Sequence, residues 1–409
     1  MPYLSSGGKM NGNFKLSVSS LLTILIFITQ FISLPYISWY NLLRYATIVA
    51  VGLYICPKIK VVLKKKYLPV NSFALLFSLL TVCTAYLNKN RMTTRNPFLA
   101  AIVFTVSFLL FLSFMEIMAE QGMIKKIIGI FFKTSLVFTL ITDILIFAAP
   151  FLYGMYNQYL VGTKFAVVYL HLLLILFYLV HANFSEKKWL KKDITLMLSL
   201  LTAWSFIIGI YVDCSTGIIG LFVLLILIMV IDNNESLFFN GIFYCVTQFF
   251  CFGFVFFCEF ILSNQIVQNF IVNILQRDIT LTSRTSIYAK VPGILTIYKG
   301  WIIGLGYGSS YELGTKYGGF PNAQNGILNW IWQVGLPTTV IMVIMFASIL
   351  NLSKKYMDQN NKKVLLPLIS GLYLFTILGT VEITMSVMYF SLAVCIMGVA
   401  VETCGNKIK

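Results

Sequence analysis

The chain has 409 residues, of which 59% are hydrophobic and only 11% charged, and it carries a formal net charge of +16. Its mean hydropathy of +0.87 excludes a water-soluble fold. The basic residues flank apolar runs and form no patch on a soluble domain, so nucleic acid is excluded as a partner. The composition therefore predicts an integral membrane protein.

Apolar runs in chain order predict about twelve membrane-spanning helices, because each run is long enough to cross a hydrocarbon layer roughly 30 Å thick. The predicted spans are residues 17–34, 36–57, 67–87, 97–119, 127–149, 163–183, 194–211, 215–231, 238–262, 326–350, 364–380 and 383–402. The runs are continuously apolar and do not alternate, which favours helices over a barrel. We expect the first span to be retained and not cleaved as a signal peptide. The prediction is an all-α polytopic membrane protein forming a single transmembrane domain over residues 1–409.

Basic residues predict the orientation. With the N-terminus in the cytoplasm, 20 of the 30 Lys and Arg residues lie on the cytoplasmic side, and the C-terminus returns there. All five arginines fall on the opposite, outer side: Arg44, Arg91, Arg95, Arg277 and Arg284. A guanidinium binds phosphate through two parallel hydrogen bonds, so these arginines indicate a phosphate-bearing ligand presented from the outer leaflet. The alternative is chance combined with arginines reaching up to the interface.

Residues 263–325 form a long outer loop with amphipathic character. Its first part, "NQIVQNFIVNILQR", has apolar residues at helical spacing and predicts a helix along the membrane surface. In the following "DITLTSRTSIY", Thr282 or Ser283 can cap a second helix whose first turn contains Arg284, with Pro292 kinking the helix further on. A guanidinium at a helix N-terminus predicts an anion site.

The loop ends in two polar segments. The glycines of "GWIIGLGYGSS" allow the backbone to approach a ligand or a neighbouring helix closely. The next segment, "PNAQNG", supplies Asn322, Gln324 and Asn325 as neutral donors and acceptors at the floor of a site. Trp330 then anchors the next helix or stacks on a sugar ring. The alternative is an ordinary helix start, since Asn caps helices without any ligand.

Four outward carboxylates are candidate general bases: Asp213, Asp278, Glu312 and Glu382. Asp278 also neighbours Arg277 and can pair with it instead. No outward carboxylate pair has the spacing to hold a metal, so we expect neither metal nor cofactor. The eight cysteines are expected to be packing residues.

Two further expectations concern polar residues within the spans. Arg44 lies in the outer half of a span, with Asp143 as its expected partner, in a substrate contact or a structural pair. The two histidines, His171 and His181, do not converge on one helix face and are expected to be buried and hydrogen-bonded.

Residues 282–346 resemble a known family. The segments "LTSRTSIY", "GWIIGLGYG" and "NAQNGILNWIWQVGLPTTVIM" are similar to the outer-loop region of bacterial O-antigen ligases and Wzy-type polysaccharide polymerases, and residues 211–228 resemble the small-residue helix before that loop. The resemblance implies a membrane glycosyltransferase of the GT-C type in the bacterial cytoplasmic membrane. Its substrates would be oligosaccharide repeat units linked to undecaprenyl diphosphate, and its partners membrane lipids and a chain-length regulator protein.

Carried over by position, Arg284 would bind the diphosphate, Asn325 would be the family's motif asparagine and Gly335 a motif glycine. Gln324 stands where ligases have His, and Gln333 where many members have Glu, which favours a polymerase over a ligase. The expected catalytic residues are Arg284, Gln324, Asn325, Asp278 and Glu312. The expected substrate-binding residues are Arg44, Arg91, Arg95, Arg277, Lys290, Tyr288, Asn322 and Trp330. A flippase for lipid-linked oligosaccharide is the alternative from another class of protein.

Overall fold

The computed structural model describes residues 17–150, 152, 158–184, 191–274, 284–357 and 359–405. These residues are overwhelmingly helical, and nine of the helices they form are long and apolar enough to cross a membrane. A single pair of two-residue strands is the only sheet among them, which confirms the predicted all-α polytopic architecture.

The helices of the first half are α1 (Val18–Gln30), α2 (Tyr40–Ile55), α3 (Ile59–Val62), α4 (Leu68–Leu87), α5 (Pro97–Glu120), α6 (Ile124–Ala148), α7 (Lys164–Phe184), α8 (Lys191–Tyr211) and α9 (Ser215–Asn233). The helices of the second half are α10 (Glu235–Phe238), α11 (Gly241–Leu262), α12 (Gln265–Asn269), α13 (Arg284–Ile297), α14 (Gly300–Ile303), α15 (Ser310–Gly318), α16 (Gly326–Val334), α17 (Leu336–Tyr356), α18 (Gln359–Leu378) and α19 (Val387–Gly405). A short 3-10 helix spans Cys56–Lys58, and a short π-helix spans Phe270–Ile274. Strands β1 (Gln158–Tyr159) and β2 (Gly162–Thr163) precede α7.

One predicted span is wrong in an informative way. Residues 326–350 were predicted as a single helix, but α16 and α17 are separate because Gly335 adopts a φ of +84° between them. A side chain there would place its Cβ 2.1 Å from the carbonyl oxygen of Ile302, so the close approach requires glycine. Two other predicted spans are short, since α1 has 13 residues and the apolar part of α19 is Val387–Glu402.

Asparagine side chains begin several helices, as expected from their capping preference. The Oδ1 of Asn96 accepts hydrogen bonds from the backbone of Phe98 at 3.0 Å and Leu99 at 3.2 Å, with Pro97 as the first residue of α5. Asn240 caps α11 in the same way through the backbone N–H of Ile242 at 2.8 Å.

Three helices form the centre of the bundle. Most of α7 is buried, α18 packs against both α7 and α19, and α19 packs also against α5 and α17, whereas α2, α8 and α11 expose most of their apolar surface. Small residues allow α9 to approach this centre, because a Cβ at Gly217 would lie 2.3 Å from the Val168 side chain of α7. The two ends of the bundle differ. We call the end carrying α13–α16 the loop end, and the end carrying Lys64, Lys126 and Lys354 the lysine end.

Residues 263–325, predicted as the outer loop and called the outer segment below, form short helices over the loop end where they are described. The predicted surface helix over residues 264–277 is present as α12 and the turn Phe270–Ile274 for the part that is described. Arg284 is the first residue of α13, and Pro292 lies inside that helix, as predicted. The capping residues Thr282 and Ser283 lie outside the described residues.

The glycine-rich segment binds a neighbouring helix, which was one of its two predicted roles. The backbone N–H of Leu305 donates to Trp332 O at 2.7 Å, and that of Gly306 to Gln333 O at 3.0 Å, so the segment caps the end of α16. The Gln333 side chain completes this contact, because its Oε1 accepts from the backbone N–H of Gly308 at 2.7 Å. Gln333 therefore holds the loop in place.

Candidate functional site

A cavity of about 760 Å³ opens at the loop end beside the first residue of α13. Its walls come from the starts of α7, α9 and α13, from the segment before α16 and from the connection between α18 and α19. Its polar and ionisable lining residues are Thr163, Lys164, Tyr169, Asp213, Cys214, Ser215, Thr216, Arg284, Asn322, Gln324, Glu382 and Ser386. The cavity thus brings together residues from five separate stretches of the chain.

Arg284 is held in the cavity by two partners. Its Nη2 donates to the Glu382 carboxylate in an ion pair, and its Nε donates to the Val381 carbonyl at 2.8 Å. Both side chains of the pair are largely buried, with relative exposures of 15% for Arg284 and 10% for Glu382. Because this ion pair is buried in a low dielectric, an anionic ligand that binds Arg284 would leave the Glu382 carboxylate without its partner.

The connection of residues 379–386 organises this side of the cavity. Its carbonyl oxygens accept from three donors on two helices: Gly379 O from Gly326 N at 2.7 Å, and Thr380 O from Tyr288 Oη at 3.1 Å and Asn325 Nδ2 at 3.0 Å. Since α13 and α16 are both tied to this connection, Arg284 and Glu382 are fixed relative to each other. The arrangement places a guanidinium at the positive end of the α13 dipole.

A second cation and carboxylate line the same cavity. Lys164, the first residue of α7, donates through Nζ to Asp213 O at 2.7 Å and to its Oδ2 at 3.2 Å. Asp213 is more exposed, at 61% of its side chain, and its backbone is left-handed with a φ of +51°. The cavity therefore contains two ion pairs, each with one cation and one carboxylate.

The two carboxylates have different surroundings. Burial raises the pKa of Glu382, and the nearby charges of Arg284 and Lys164 oppose that shift. Asp213 is half-exposed and paired with Lys164. Of the cavity's carboxylates, Glu382 is the one whose pKa is raised by burial, which makes it a stronger base than an ordinary carboxylate.

The predicted "PNAQNG" segment divides between cavity and core. Asn322 and Gln324 line the cavity, and Gln324 has a strained backbone with a φ of +51°. Asn325 is fully buried, where its Oδ1 caps α16 by accepting from Leu328 N at 3.0 Å and its Nδ2 also donates to Cys251 O at 3.0 Å. The amide of Asn325 is thus committed to contacts within the protein.

Several predicted substrate-binding residues lie away from the cavity. Arg91 donates to Tyr298 O at 3.1 Å and Lys290 to Gly318 O at 3.3 Å, so both brace the outer segment. Arg95 is exposed near Gly308. Tyr288 is buried and donates to Gln324 O at 2.8 Å, which fixes the backbone of a cavity residue.

Trp330 lies in the core. It is 3% exposed and donates through Nε1 to Met385 O at 2.8 Å. Its ring packs against Phe77 and Phe390, at centroid distances of 5.7 and 5.3 Å. Of the two roles predicted for Trp330, this geometry matches anchoring of the helix and not stacking on a sugar ring.

Glu312 clips α15 to the connection between α4 and α5. Its carboxylate accepts from Thr93 N at 2.6 Å, from Thr93 Oγ1 at 2.8 Å, from Thr94 N at 3.2 Å and from Thr94 Oγ1. These hydrogen bonds lower the pKa of Glu312 to about 2. A carboxylate that is such a weak base is better suited to holding α15 against the connection between α4 and α5 than to removing a proton from a sugar hydroxyl.

The expected pairing of Arg44 with Asp143 is wrong. Asp143 instead lies 3.2 Å from His171 Nε2, and His171 Nδ1 lies 3.1 Å from Ser205 Oγ, which confirms the buried, hydrogen-bonded role of that histidine. No ion pair joins Arg44 to a residue that the structure describes. Arg44 in α2 and Asp143 in α6 were expected at the same depth in the membrane, but their side chains do not form an ion pair. His181 is stacked on Phe132, and its Nδ1 has no hydrogen-bond partner in the structure.

Two predicted residues, Arg277 and Asp278, lie outside the described residues. Sequence reasoning missed Lys164 and Tyr169 of α7. Lys164 falls on the outer side of the predicted topology, where few lysines are predicted, and this signal could have found it. Tyr169 has no local signal, because it sits in an apolar run.

The chain matches no protein-family model and no curated protein sequence. What the cavity does is therefore argued from its own residues.

Proposed function

We propose that this protein is a polysaccharide polymerase that transfers a growing glycan from undecaprenyl diphosphate to a lipid-linked repeat unit at the outer face of the bacterial cytoplasmic membrane. The observation that carries the proposal is the buried Arg284–Glu382 pair, in a cavity that also contains Lys164 and lies at the end of a helix bundle. Two cations and a helix N-terminus suit a diphosphate, and a buried carboxylate suits an acceptor hydroxyl.

The reaction follows from these roles. The acceptor hydroxyl attacks the anomeric carbon of the donor sugar, the bond from that carbon to the diphosphate oxygen breaks, and its electron pair stays on the diphosphate. Arg284 and Lys164 stabilise the charge that develops there. Glu382 takes the proton of the acceptor hydroxyl. The diphosphate must first displace the Glu382 carboxylate from Arg284. Gln324 and Asn322 orient the sugars through their amides.

The proposal includes an orientation and an architecture. The loop end faces the outer surface, the lysine end faces the cytoplasm, and about twelve spans carry the cavity in a GT-C type arrangement. The lysines at the lysine end support this orientation, as does the position of the cavity beside the extended outer segment. A ligase of the same family is the runner-up activity.

A transporter for the same lipid is a second candidate. It is favoured by the interruption between α16 and α17 at Gly335, because transporters often build substrate sites from interrupted helices. The residues of α16 that precede this break are all buried, and none of them lines the cavity. The carbonyl oxygens of Trp332 and Gln333 instead bind the glycine-rich segment. This difference favours the enzyme.

The proposed function is tested with purified full-length protein and the lipid-linked oligosaccharides that accumulate in cells lacking it. We expect a ladder of longer lipid-linked glycans, resolved by gel electrophoresis and mass spectrometry. We expect the ladder to persist in EDTA, because the cations proposed to act are side chains. Unchanged single repeats would refute a polymerase. A ladder that EDTA abolishes and Mg²⁺ restores would refute the cation-only mechanism.

Cysteine labelling tests the orientation. In a background without the eight native cysteines, a cysteine at the exposed position of Lys316 in α15 should react with a membrane-impermeant maleimide in intact cells. A cysteine at the exposed position of Lys355, at the lysine end, should react only after the membrane is broken. The reverse pattern would place the cavity in the cytoplasm and remove the proposed substrates from its reach.

A further inference from the structure

Buried tyrosine hydroxyls in this protein are generally satisfied. Tyr40 donates to Ile32 O at 2.5 Å and Tyr373 to Phe238 O at 3.0 Å. The hydroxyls of Tyr244 and Tyr389 bond to each other at 2.6 Å. Folding in an apolar environment demands this, because a phenol hydroxyl that leaves water without a new partner loses its hydrogen bonds outright.

Two buried tyrosines of α7 depart from this rule. The hydroxyls of Tyr169 and Tyr178 are inaccessible and have no hydrogen-bond partner among the residues that the structure describes. The two residues are comparably buried, with relative exposures of 9% and 4%. They differ in their surroundings, since Tyr169 lines the cavity whereas Tyr178 packs against Phe132 toward the lysine end.

The Tyr169 side chain lines the same cavity as Glu382 and Arg284. Its ring is fixed edge-on against Phe375, with centroids 5.5 Å apart and an interplanar angle of 81°. Tyr169 also lines a smaller pocket of about 130 Å³ together with Phe31 and Met388. A fixed ring with an unpartnered hydroxyl is preorganised for a ligand group that enters the cavity.

We infer that the Tyr169 hydroxyl donates a hydrogen bond to a phosphate oxygen of the bound lipid diphosphate when that ligand separates Glu382 from Arg284. This inference rests on the proposed function. A phenol is protonated at neutral pH, so toward an anion beside Arg284 it acts as a donor. Together with Arg284 and Lys164, it supplies a third contact to the diphosphate.

The test measures undecaprenyl diphosphate binding to the purified full-length protein in lipid nanodiscs. Tyr169→Phe removes one oxygen atom and keeps the ring. Loss of a hydrogen bond to a charged group should raise the Kd by about tenfold or more. Tyr178→Phe is the matched control, because it removes another unpartnered hydroxyl of the same helix that does not line the cavity, and its Kd should stay within about twofold of wild type. Inorganic diphosphate should show the same difference between the two variants, which assigns the contact to phosphate and not to the polyprenyl chain.

The outcomes separate the inference from the function on which it rests. If Tyr169→Phe binds like wild type while Arg284→Ala binds weakly, the Tyr169 contact is refuted and the diphosphate site stands. Unchanged binding with slower transfer would instead show that the hydroxyl acts on Glu382, which also refutes the contact. Equal weakening in Tyr169→Phe and Tyr178→Phe would reveal a structural effect and overturn the inference. If wild type binds no diphosphate, both the inference and the proposed function fail.

Discussion

Replacing Arg284 should shorten the glycan without removing the protein from the membrane. Arg284→Lys keeps the charge beside Glu382 but loses the planar fork, and Arg284→Ala loses both. A charge-assisted contact that strengthens as the diphosphate leaves is worth roughly 3 kcal/mol, or about a hundredfold in rate. We expect long chains to shrink toward single repeats in Arg284→Lys, and Arg284→Ala to be more severe. Chain length is read on gels, with abundance measured by immunoblotting.

Stability is the complication for Arg284→Ala, because that variant leaves the Glu382 carboxylate buried without its partner. Removing one member of a buried pair costs about 3–5 kcal/mol. The double variant Arg284→Ala, Glu382→Gln removes this unpaired charge, so its abundance should recover while its chains stay short. Lys316→Ala is the matched control, since it deletes a cation of the outer segment that does not line the cavity. Wild-type chains in Arg284→Ala at normal abundance would remove the residue from the site.

The same variants distinguish enzyme from transporter. A crippled polymerase leaves single repeats that still reach the cell surface. A crippled transporter leaves lipid-linked repeats on the cytoplasmic leaflet, and even single repeats are missing outside. Surface labelling of the glycan in Arg284→Lys cells therefore decides between the two candidates.

The helices were predictable because membrane crossing imposes a local requirement: each run must be apolar over about 20 residues, wherever it packs. The break between α16 and α17 was not, because it depends on the carbonyl of Ile302, which reaches Gly335 only in the folded protein. Residues 326–350 are continuously apolar, and although the family resemblance marks Gly335 as a motif glycine, nothing in the sequence shows that the helix ends there.

The candidate site was predictable only in part, for a similar reason. Arg284, Asn322 and Gln324 share one loop, so their convergence followed from proximity in sequence. Lys164 and Glu382 reach them from α7 and from the connection after α18, through helix packing that no local pattern encodes. Depth in the membrane is readable from sequence, but the direction in which a side chain points round its helix is fixed by its neighbours. Asp143 illustrates this, since it bonds to His171 and not to Arg44.

Glu382→Gln should separate binding from chemistry. The amide keeps the size of the side chain and can still accept from Arg284, but it cannot take a proton from the acceptor hydroxyl. We expect the transfer rate to fall by about 10²–10⁴-fold, the usual contribution of a positioned base. Undecaprenyl diphosphate should bind at least as tightly as to wild type, because no carboxylate competes with it for Arg284. Loss of binding together with activity would show that Glu382 only supports the structure of the cavity.

The pH dependence supplies a second readout for Glu382. A base must be ionised to act, and burial raises the pKa of Glu382, so wild-type activity should fall as pH drops through a value above the usual carboxylate range near 4. This acid limb should disappear from the residual activity of Glu382→Gln. Glu312→Gln is the matched control, because the pKa of Glu312 is lowered to about 2 and its carboxylate is bound by Thr93 and Thr94. Its variant should keep the wild-type acid limb and most of the rate. If the limb vanished in Glu312→Gln and persisted in Glu382→Gln, the base would be Glu312, and the outer segment would have to move its carboxylate into the cavity.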